Sequence, residues 1–225
     1  MERLPFRLLL LVLMAGVFII TAGNALATPV DIVNPSFEVN VLSDGTWNTG
    51  DIYGWTVLGN TSSAGVYRPT NTQFSSGIPD GVNVAWSNSS GSIISQQLSR
   101  PLAEGVTYTL EVDVGGRADL TSYGSGQEYS VQLLAGGELL AEENSWVPYD
   151  GTFTTAMLVY EAPAEHDQLG EDLEIRLLAG GTQVNFDNVR LENQNGDQSV
   201  PEPTTVLLLG TCLVIVAGLG RKKFF

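Results

Sequence analysis

The side chains best suited to chemistry in this chain are aromatic and polar groups set in loops. Trp47, Tyr53, Tyr67 and Tyr123 stand among Gly, Asn, Thr and Asp, where a ring face is open to stacking. Arg68, Asn71 and Arg117 lie in the same loop segments and supply hydrogen-bond donors. Tyr53, Tyr67, Arg68, Asn71, Arg117 and Tyr123 are therefore the candidate ligand-binding set: rings to stack a sugar, polar groups to orient its hydroxyls. Each ring also fits the plainer role of a half-buried aromatic under a loop. Trp55 and Trp86 sit in apolar strand patterns and belong to the core. Trp146 follows a polar stretch and suits core or rim equally.

Acid–base and nucleophilic chemistry has little to rest on. His166 is the only histidine, in an Ala/Pro/Glu/Asp segment, so any Ser-His-Asp arrangement depends wholly on it. Paired carboxylates mean nothing in a chain with 25 acidic residues. No glycine-rich loop follows a strand and opens a helix, so nucleotide chemistry is excluded. No catalytic residue is expected, and the chain reads as a non-enzyme.

The elements that would position these groups are strands. Thr107–Val114 alternates cleanly, with Tyr108, Leu110, Val112 and Val114 toward a core and Thr107, Thr109, Glu111 and Asp113 outward. Val82, Val84 and Trp86 alternate with Asn83, Ala85 and Ser87 in the same way. Further strands are expected at Val30–Val33, Gly54–Leu58, Ser92–Leu98, Glu128–Leu134, Glu138–Glu143, Thr152–Tyr160, Leu173–Leu178 and Gln183–Leu191. Leu133-Leu134-Ala135-Gly136-Gly137 and Leu177-Leu178-Ala179-Gly180-Gly181 repeat one pattern, and each Gly-Gly predicts a tight hairpin. Leu58–Gly81 and Gly115–Gln127 read as long loops. Short strands without a helical period predict an all-β fold, a jelly-roll β-sandwich.

Val33-Asn34-Pro35-Ser36-Phe37-Glu38, Gly54-Trp55, Ser92-Ile93-Ile94-Ser95-Gln96, Gly105-Val106-Thr107-Tyr108-Thr109-Leu110 and Phe186-Asp187-Asn188-Val189-Arg190-Leu191 occur in that order. Together they resemble the galactose-binding-like jelly rolls, including carbohydrate-binding modules of families four and nine. The resemblance spans nearly all of 30–192. It implies adjacent first and last strands, with Glu38 and Asp187 holding a structural calcium helped by backbone carbonyls. Calcium takes six to eight oxygen ligands, and two carboxylates buried together would otherwise repel. Asn34 and Asn188 are possible amide ligands. The alternative is that Glu38 and Asp187 cap strand ends by accepting from backbone N–H groups.

Both ends of the chain carry address-like segments. Arg3 and Arg7, the apolar run Leu8–Ile20 and Ala25-Leu26-Ala27 form a signal peptide over 1–27, with signal peptidase cutting after Ala27. An uncleaved anchor is the alternative. At the other end stand Pro201-Glu202-Pro203, an uncharged run from Thr204 to Gly220, and Arg221, Lys222 and Lys223. As a helix that run is ~25 Å long, at the short end of a membrane span, and the three cations would stay in the cytoplasm. The tail resembles the PEP-CTERM signal of exosortase substrates. That implies transient residence in the inner membrane, cleavage near Pro201-Glu202-Pro203, and release to the cell envelope or extracellular matrix of a bacterium. A permanent single-pass anchor is the alternative.

Between the signals lie a domain at 28–193, a linker at 194–199 and the tail at 200–225. Cys212 is the only cysteine and falls in the tail, so the domain has neither disulfide nor thiolate chemistry. Ten basic residues fall to five within 28–199 (Arg68, Arg100, Arg117, Arg176, Arg190), and 25 acidic residues to 23 without Glu2 and Glu202, a balance of −18 with no lysine. Nucleic acid and anionic lipid need clustered cations and are excluded as partners. The sequence thus reads as an exported, non-catalytic module that binds extracellular polysaccharide (exopolysaccharide of a biofilm matrix). The alternative is an acidic matrix protein crosslinked by calcium.

Overall fold

In a computed structural model, residues 27–88 and 91–195 are described. The expected signal peptide up to Leu26, with Ala25, lies outside the described residues. So does the whole tail, with Pro201, Glu202, Pro203, Arg221, Lys222, Lys223 and the segment 204–220. No helix among the described residues is long and apolar enough to cross a membrane.

Eleven antiparallel strands build two sheets: β1 (Thr28–Pro29), β2 (Thr56–Gly59), β3 (Ala64–Tyr67), β4 (Val84–Ser87), β5 (Ser92–Pro101), β6 (Val106–Gly115), β7 (Gly126–Ala135), β8 (Glu138–Pro148), β9 (Phe153–Glu161), β10 (Asp172–Ala179) and β11 (Val184–Asn195). One sheet runs β3-β4-β11-β6-β9, with β1 on the far half of β11; the other runs β2-β5-β10-β7-β8. The only helical pieces described are two 3₁₀ turns, Thr61–Ser63 and Ala118–Tyr123. The result is the expected all-β sandwich. Tyr108, Leu110, Val112 and Val114 are all fully buried between the sheets, as their alternation predicts. They meet Leu133, Leu173, Ile175, Leu177, Phe186 and Leu191 in one apolar core.

Five expectations are corrected. Val30–Val33 is not a strand: β1 ends at Pro29, and Val33 is held instead by the Gln96 side chain, whose amide accepts from its N–H and donates to its carbonyl at 2.8 Å each. The expected loop 58–81 contains β3, a four-residue strand buried on both faces and so without alternation. Val84 and Trp86 do not face the inter-sheet core. Ala85 does, while Val84, Trp86 and Tyr67 form a second small cluster on the opposite face. A strand covered on both sides hides its orientation, because both parities are apolar. Finally, the two Gly-Gly pairs differ. Gly136 and Gly137 both take positive φ (56° and 84°) and close the β7–β8 hairpin. Gly180 and Gly181 do not, and they carry the chain from β10 in one sheet to β11 in the other. β11 also continues through Asn195, paired with Val106, so residues 194 and 195 belong to the sheet and not to a linker.

Candidate functional site

The outer face of β11 positions two polar sites. Val184 and Phe186 point into the core, which sends Gln183, Asn185 and Asp187 to the other face at a spacing of ~7 Å per pair. The register sets Asn185 opposite Trp86 of β4 and Gly115 of β6, and Asp187 opposite Asp113. The β11–β6 ladder slips between Asp187 and Arg190, a bulge whose extra residue, Asn188, has φ 49°.

At this bulge the chain gathers carboxylates. Asp187 is fully buried and accepts from the Asp80 and Asn188 N–H groups at 2.9 and 2.7 Å. Glu38 accepts from Val82 and Asn83 N–H at 2.8 and 2.7 Å. Asp80 accepts from the Ser36 hydroxyl at 2.7 Å. Gly81, at φ 67°, has no room for a side chain because a Cβ would collide with the Glu38 carboxyl. Burial pushes the Asp187 carboxyl up to about 8, the two N–H donors oppose that, and the neighbouring Asp80 and Glu38 charges add to it. Of the non-glycine residues with positive φ among those described, Phe37 and Asn188 adjoin Glu38 and Asp187, and Asn34 lies four residues before Glu38.

The sequence thus pointed to two members of a real cluster. It missed Asp80 and Asn83, which reach the cluster from a loop with no periodicity. Asn34 and Asn188, expected as amide ligands, are used elsewhere: Asn34 bridges Val39 N–H and the Tyr53 carbonyl, and Asn188 donates to Asp113. Both carboxylates do accept from backbone N–H groups, as the capping alternative supposed.

Whether a cation fits is decided by Asn83. It is 1% exposed; its Nδ2 donates to the Phe37 and Asn40 carbonyls at 3.1 and 2.9 Å, yet its Oδ1 has no partner. A buried oxygen without a donor, on a residue whose N–H bonds the Glu38 carboxylate, is compatible with a hard, oxygen-seeking ion. No three His, Cys, Asp or Glu residues among those described suffice for a metal by themselves, so amide and backbone oxygens would have to complete the shell.

The second site is a cavity of about 230 Å³ lined by Trp47, Tyr67, Trp86, Asn88, Arg117 and Gln183. β3 and β4 supply Tyr67 and Trp86, and an isolated bridge ties Trp47 to Tyr67. The Trp86 indole donates to the Asn48 carbonyl at 3.2 Å, which fixes its ring. Trp47 is 64% exposed and forms the rim. The Arg117 guanidinium lies 4.9 Å over the Tyr67 ring. It pairs with Asp119 through Nε and a terminal nitrogen at 2.9 and 2.6 Å and donates to Gln183 at 3.1 Å. Gln183 donates to buried Asn185 at 2.9 Å, and Asn185 to the Gly115 carbonyl at 3.3 Å. Burial raises the Tyr67 phenol above its usual range, with Arg117 opposing. The bond from Arg117 holds Asp119 below the ordinary aspartate range.

Of the six residues expected to bind a ligand, Tyr67 and Arg117 meet in this cavity. Arg68 and Asn71 line a different groove with Phe74, and Arg68 pairs with Asp44 at 2.6 Å. Tyr53 and Tyr123, 57% and 70% exposed, line neither. Trp47, noted as a loop ring open to stacking, joins Tyr67 and Arg117 in the cavity, while Trp86 and Gln183 were missed as companions because nothing local marks them. Trp146 is half-exposed, on a shallow groove along β7 and β8. His166 accepts from the Gln168 N–H at 3.1 Å.

Comparison with known proteins decides between binding module and enzyme. The family model described as HpiC1 cyclase, HpiC1-like, matches residues 28–192. No curated protein matches the chain. Among solved structures, a Stig cyclase from Fischerella sp. TAU, in complex with (3Z)-3-(1-methyl-2-pyrrolidinylidene)-3H-indole, is 26% identical with a TM-score of 0.67, over 76% of this chain and 100% of that one. A cyclase from Fischerella sp. TAU in complex with 4-(1H-indol-3-yl)butan-2-one is 26% identical, with a TM-score of 0.65 over 76% and 100%. An apo cyclase from Fischerella sp. is 25% identical, with a TM-score of 0.66 over 76% and 98%.

These findings overturn the non-catalytic reading. A family of cyclases replaces the exopolysaccharide-binding module and its alternative, the calcium-crosslinked matrix protein. Small indole compounds, not polysaccharide or exosortase, are what the related structures hold. The tail on which sorting rested lies beyond residue 192, outside both the match and the described residues.

Proposed function

We propose, on the premise that this chain belongs to the HpiC1 cyclase family, that its domain closes a ring within a small indole-bearing molecule held in the cavity of Tyr67, Trp86 and Arg117. The observation that carries this reading is that the family match encloses every residue of an aromatic-walled cavity. At about 230 Å³ the cavity is below the ~300–1,000 Å³ of clefts for drug-sized ligands, which favours a compact bicyclic system over an oligosaccharide.

Ring closure joins two atoms of one molecule. The protein's part is to hold a flexible chain folded on itself, keep water out and stabilise charge as it develops. The Trp86 face favours a developing positive charge, whereas the Tyr67 ring already carries the Arg117 guanidinium. Tyr67 keeps its proton, because burial raises its phenol, and so offers a hydrogen-bond donor in the wall. Asp119 stays ionised behind Arg117 and holds the guanidinium in the cavity wall.

We further place calcium at Glu38, Asp80, Asp187 and the orphaned Oδ1 of Asn83. When bound, the ion supplies the positive charge that the cluster lacks. Its ligands lie on the β1–β2 connection (Glu38), on the β3–β4 connection (Asp80, Asn83) and on β11 (Asp187); the last two join the strands that carry Tyr67, Trp86 and Asn185, so its role is to hold the cavity walls. The sandwich is assigned to the jelly-roll class. The N-terminal segment ending at Ala27 supports export, with the apolar run 204–220 as a tether at the inner membrane before the domain reaches the cell envelope.

The test is direct. Purified protein is titrated with 4-(1H-indol-3-yl)butan-2-one by calorimetry, then incubated with indoles bearing unsaturated side chains. Saturable binding, and a product of unchanged mass that has lost an alkene signal, are expected, with both lost in Trp86→Ala. A folded protein that neither binds the ketone nor forms an isomer would end the reading.

A further inference from the structure

Arg117 gives the cavity a specificity of its own. It is the only charged residue of the six that line it, in a chain whose net charge is −15. Its partner Asp119 is not part of the wall, and the Asp119 side chain is 40% exposed against 19% for that of Arg117. The ion pair therefore presents its cation inward and its anion outward.

The guanidinium is also fixed in place. A guanidinium has five N–H donors. Asp119 takes the Nε proton and one on a terminal nitrogen, and Gln183 takes one on the other. One N–H on each terminal nitrogen is left without an acceptor among the described residues. Gln183 is held by Asn185, and Asn185 by Gly115, so the fork cannot swing to find other partners. A substrate of hydrocarbon alone would cover these donors and leave them unpaired, which a buried charged group tolerates poorly. An oxygen acceptor would satisfy them with charge-assisted bonds.

Resting on the cyclase reading above, we infer that Arg117 is a specificity residue and that the substrate is an indole-type aromatic whose side chain carries an oxygen acceptor, a carbonyl or carboxylate, docked on the free N–H groups of Arg117. A site built to hydrogen-bond a substrate group rejects the analogue that lacks it far more strongly than an apolar pocket rejects a missing methylene.

Three probes of similar size test this: 4-(1H-indol-3-yl)butan-2-one, 4-(1H-indol-3-yl)butanoic acid and 3-butylindole, each titrated by calorimetry into purified protein, Arg117→Met and Arg117→Lys. The unaltered protein should bind the ketone or the acid at least ~10-fold more tightly than 3-butylindole, and which of the two binds better identifies the acceptor. Arg117→Met should erase that preference while still binding 3-butylindole, and Arg117→Lys should retain part of it through charge without the fork. Near-UV circular dichroism checks that each variant is folded, and the comparison in the unaltered protein needs no variant. Equal binding of all three, or a preference that survives Arg117→Met, overturns the inference and leaves the cyclase reading standing. No binding of any probe overturns both.

Discussion

Two sites share the outer face of β11, and they handle charge in opposite ways. Around Asp187 the Asp187 and Glu38 carboxylates accept from backbone N–H groups and the Asp80 carboxylate from the Ser36 hydroxyl, with no cation among them in the described residues. Around Gln183 one guanidinium is matched by one carboxylate and stacked on a tyrosine. The first arrangement has no countercharge among the described residues. The second is satisfied on its outer side and open only toward the cavity. Missing charge thus bears on stability at one site, and a spare hydrogen-bond donor on recognition at the other.

The comparison is most severely tested at Glu38. Glu38→Ala leaves the Val82 and Asn83 N–H groups without their acceptor and should cost about 2–5 kcal/mol. Equilibrium unfolding in urea measures it, and a loss under 1 kcal/mol would mean that the cluster is ornamental. Next in size is the ion. Calcium at ~100 times its Kd should add about 2.7 kcal/mol, a rise of roughly 5–10 °C in Tm over chelator-treated protein. An unchanged Tm, with no metal in the purified protein, would remove calcium from the account.

A pH dependence follows in the chelated protein. The folded-state value of Asp187 is raised to about 8 from 3.8. The stability it contributes is therefore full below about 4 and is lost as pH rises through 8. Thermal scans in chelator should give a higher Tm at pH 5 than at pH 8, and Asp187→Asn should flatten that slope. A rise in Tm over this range would place the proton elsewhere. The smallest effect on stability is expected across the face, where Tyr67→Phe removes a hydroxyl and no packing: under ~0.5 kcal/mol by the same urea assay. Its turnover should nonetheless fall about tenfold, the worth of one hydrogen bond to the transition state. A Tyr67→Phe protein with full turnover would take the hydroxyl out of the chemistry.

Legibility differed between the sites for a physical reason. Glu38 and Asp187 were visible because each sits in a motif whose place in a jelly roll is recognisable. Asp80 and Asn83 were not, since an aperiodic loop delivers them. In the cavity, Tyr67 and Arg117 were noticed singly, but their meeting was not, because a loop 50 residues further along brings the guanidinium over the ring. Trp86 was assigned to the core on its alternation and is buried, but in a second cluster with Tyr67 and Val84 where it also lines the cavity.

The sequence alone determined that this is an all-β domain, through the alternation of Thr107–Val114 and the turn residues between short apolar runs. It also determined the acidity and the lack of cysteine chemistry in the domain. These are properties of composition and of neighbours along one strand, and a period of two registers them directly. Only the tertiary structure decided which face of β4 carries Trp86 and which of two identical Leu-Leu-Ala-Gly-Gly segments is a hairpin. It alone put Arg117 over Tyr67 beside Gln183. Each of those outcomes depends on contacts between strands and loops distant in sequence, where side-chain burial and register, not local preference, select the arrangement.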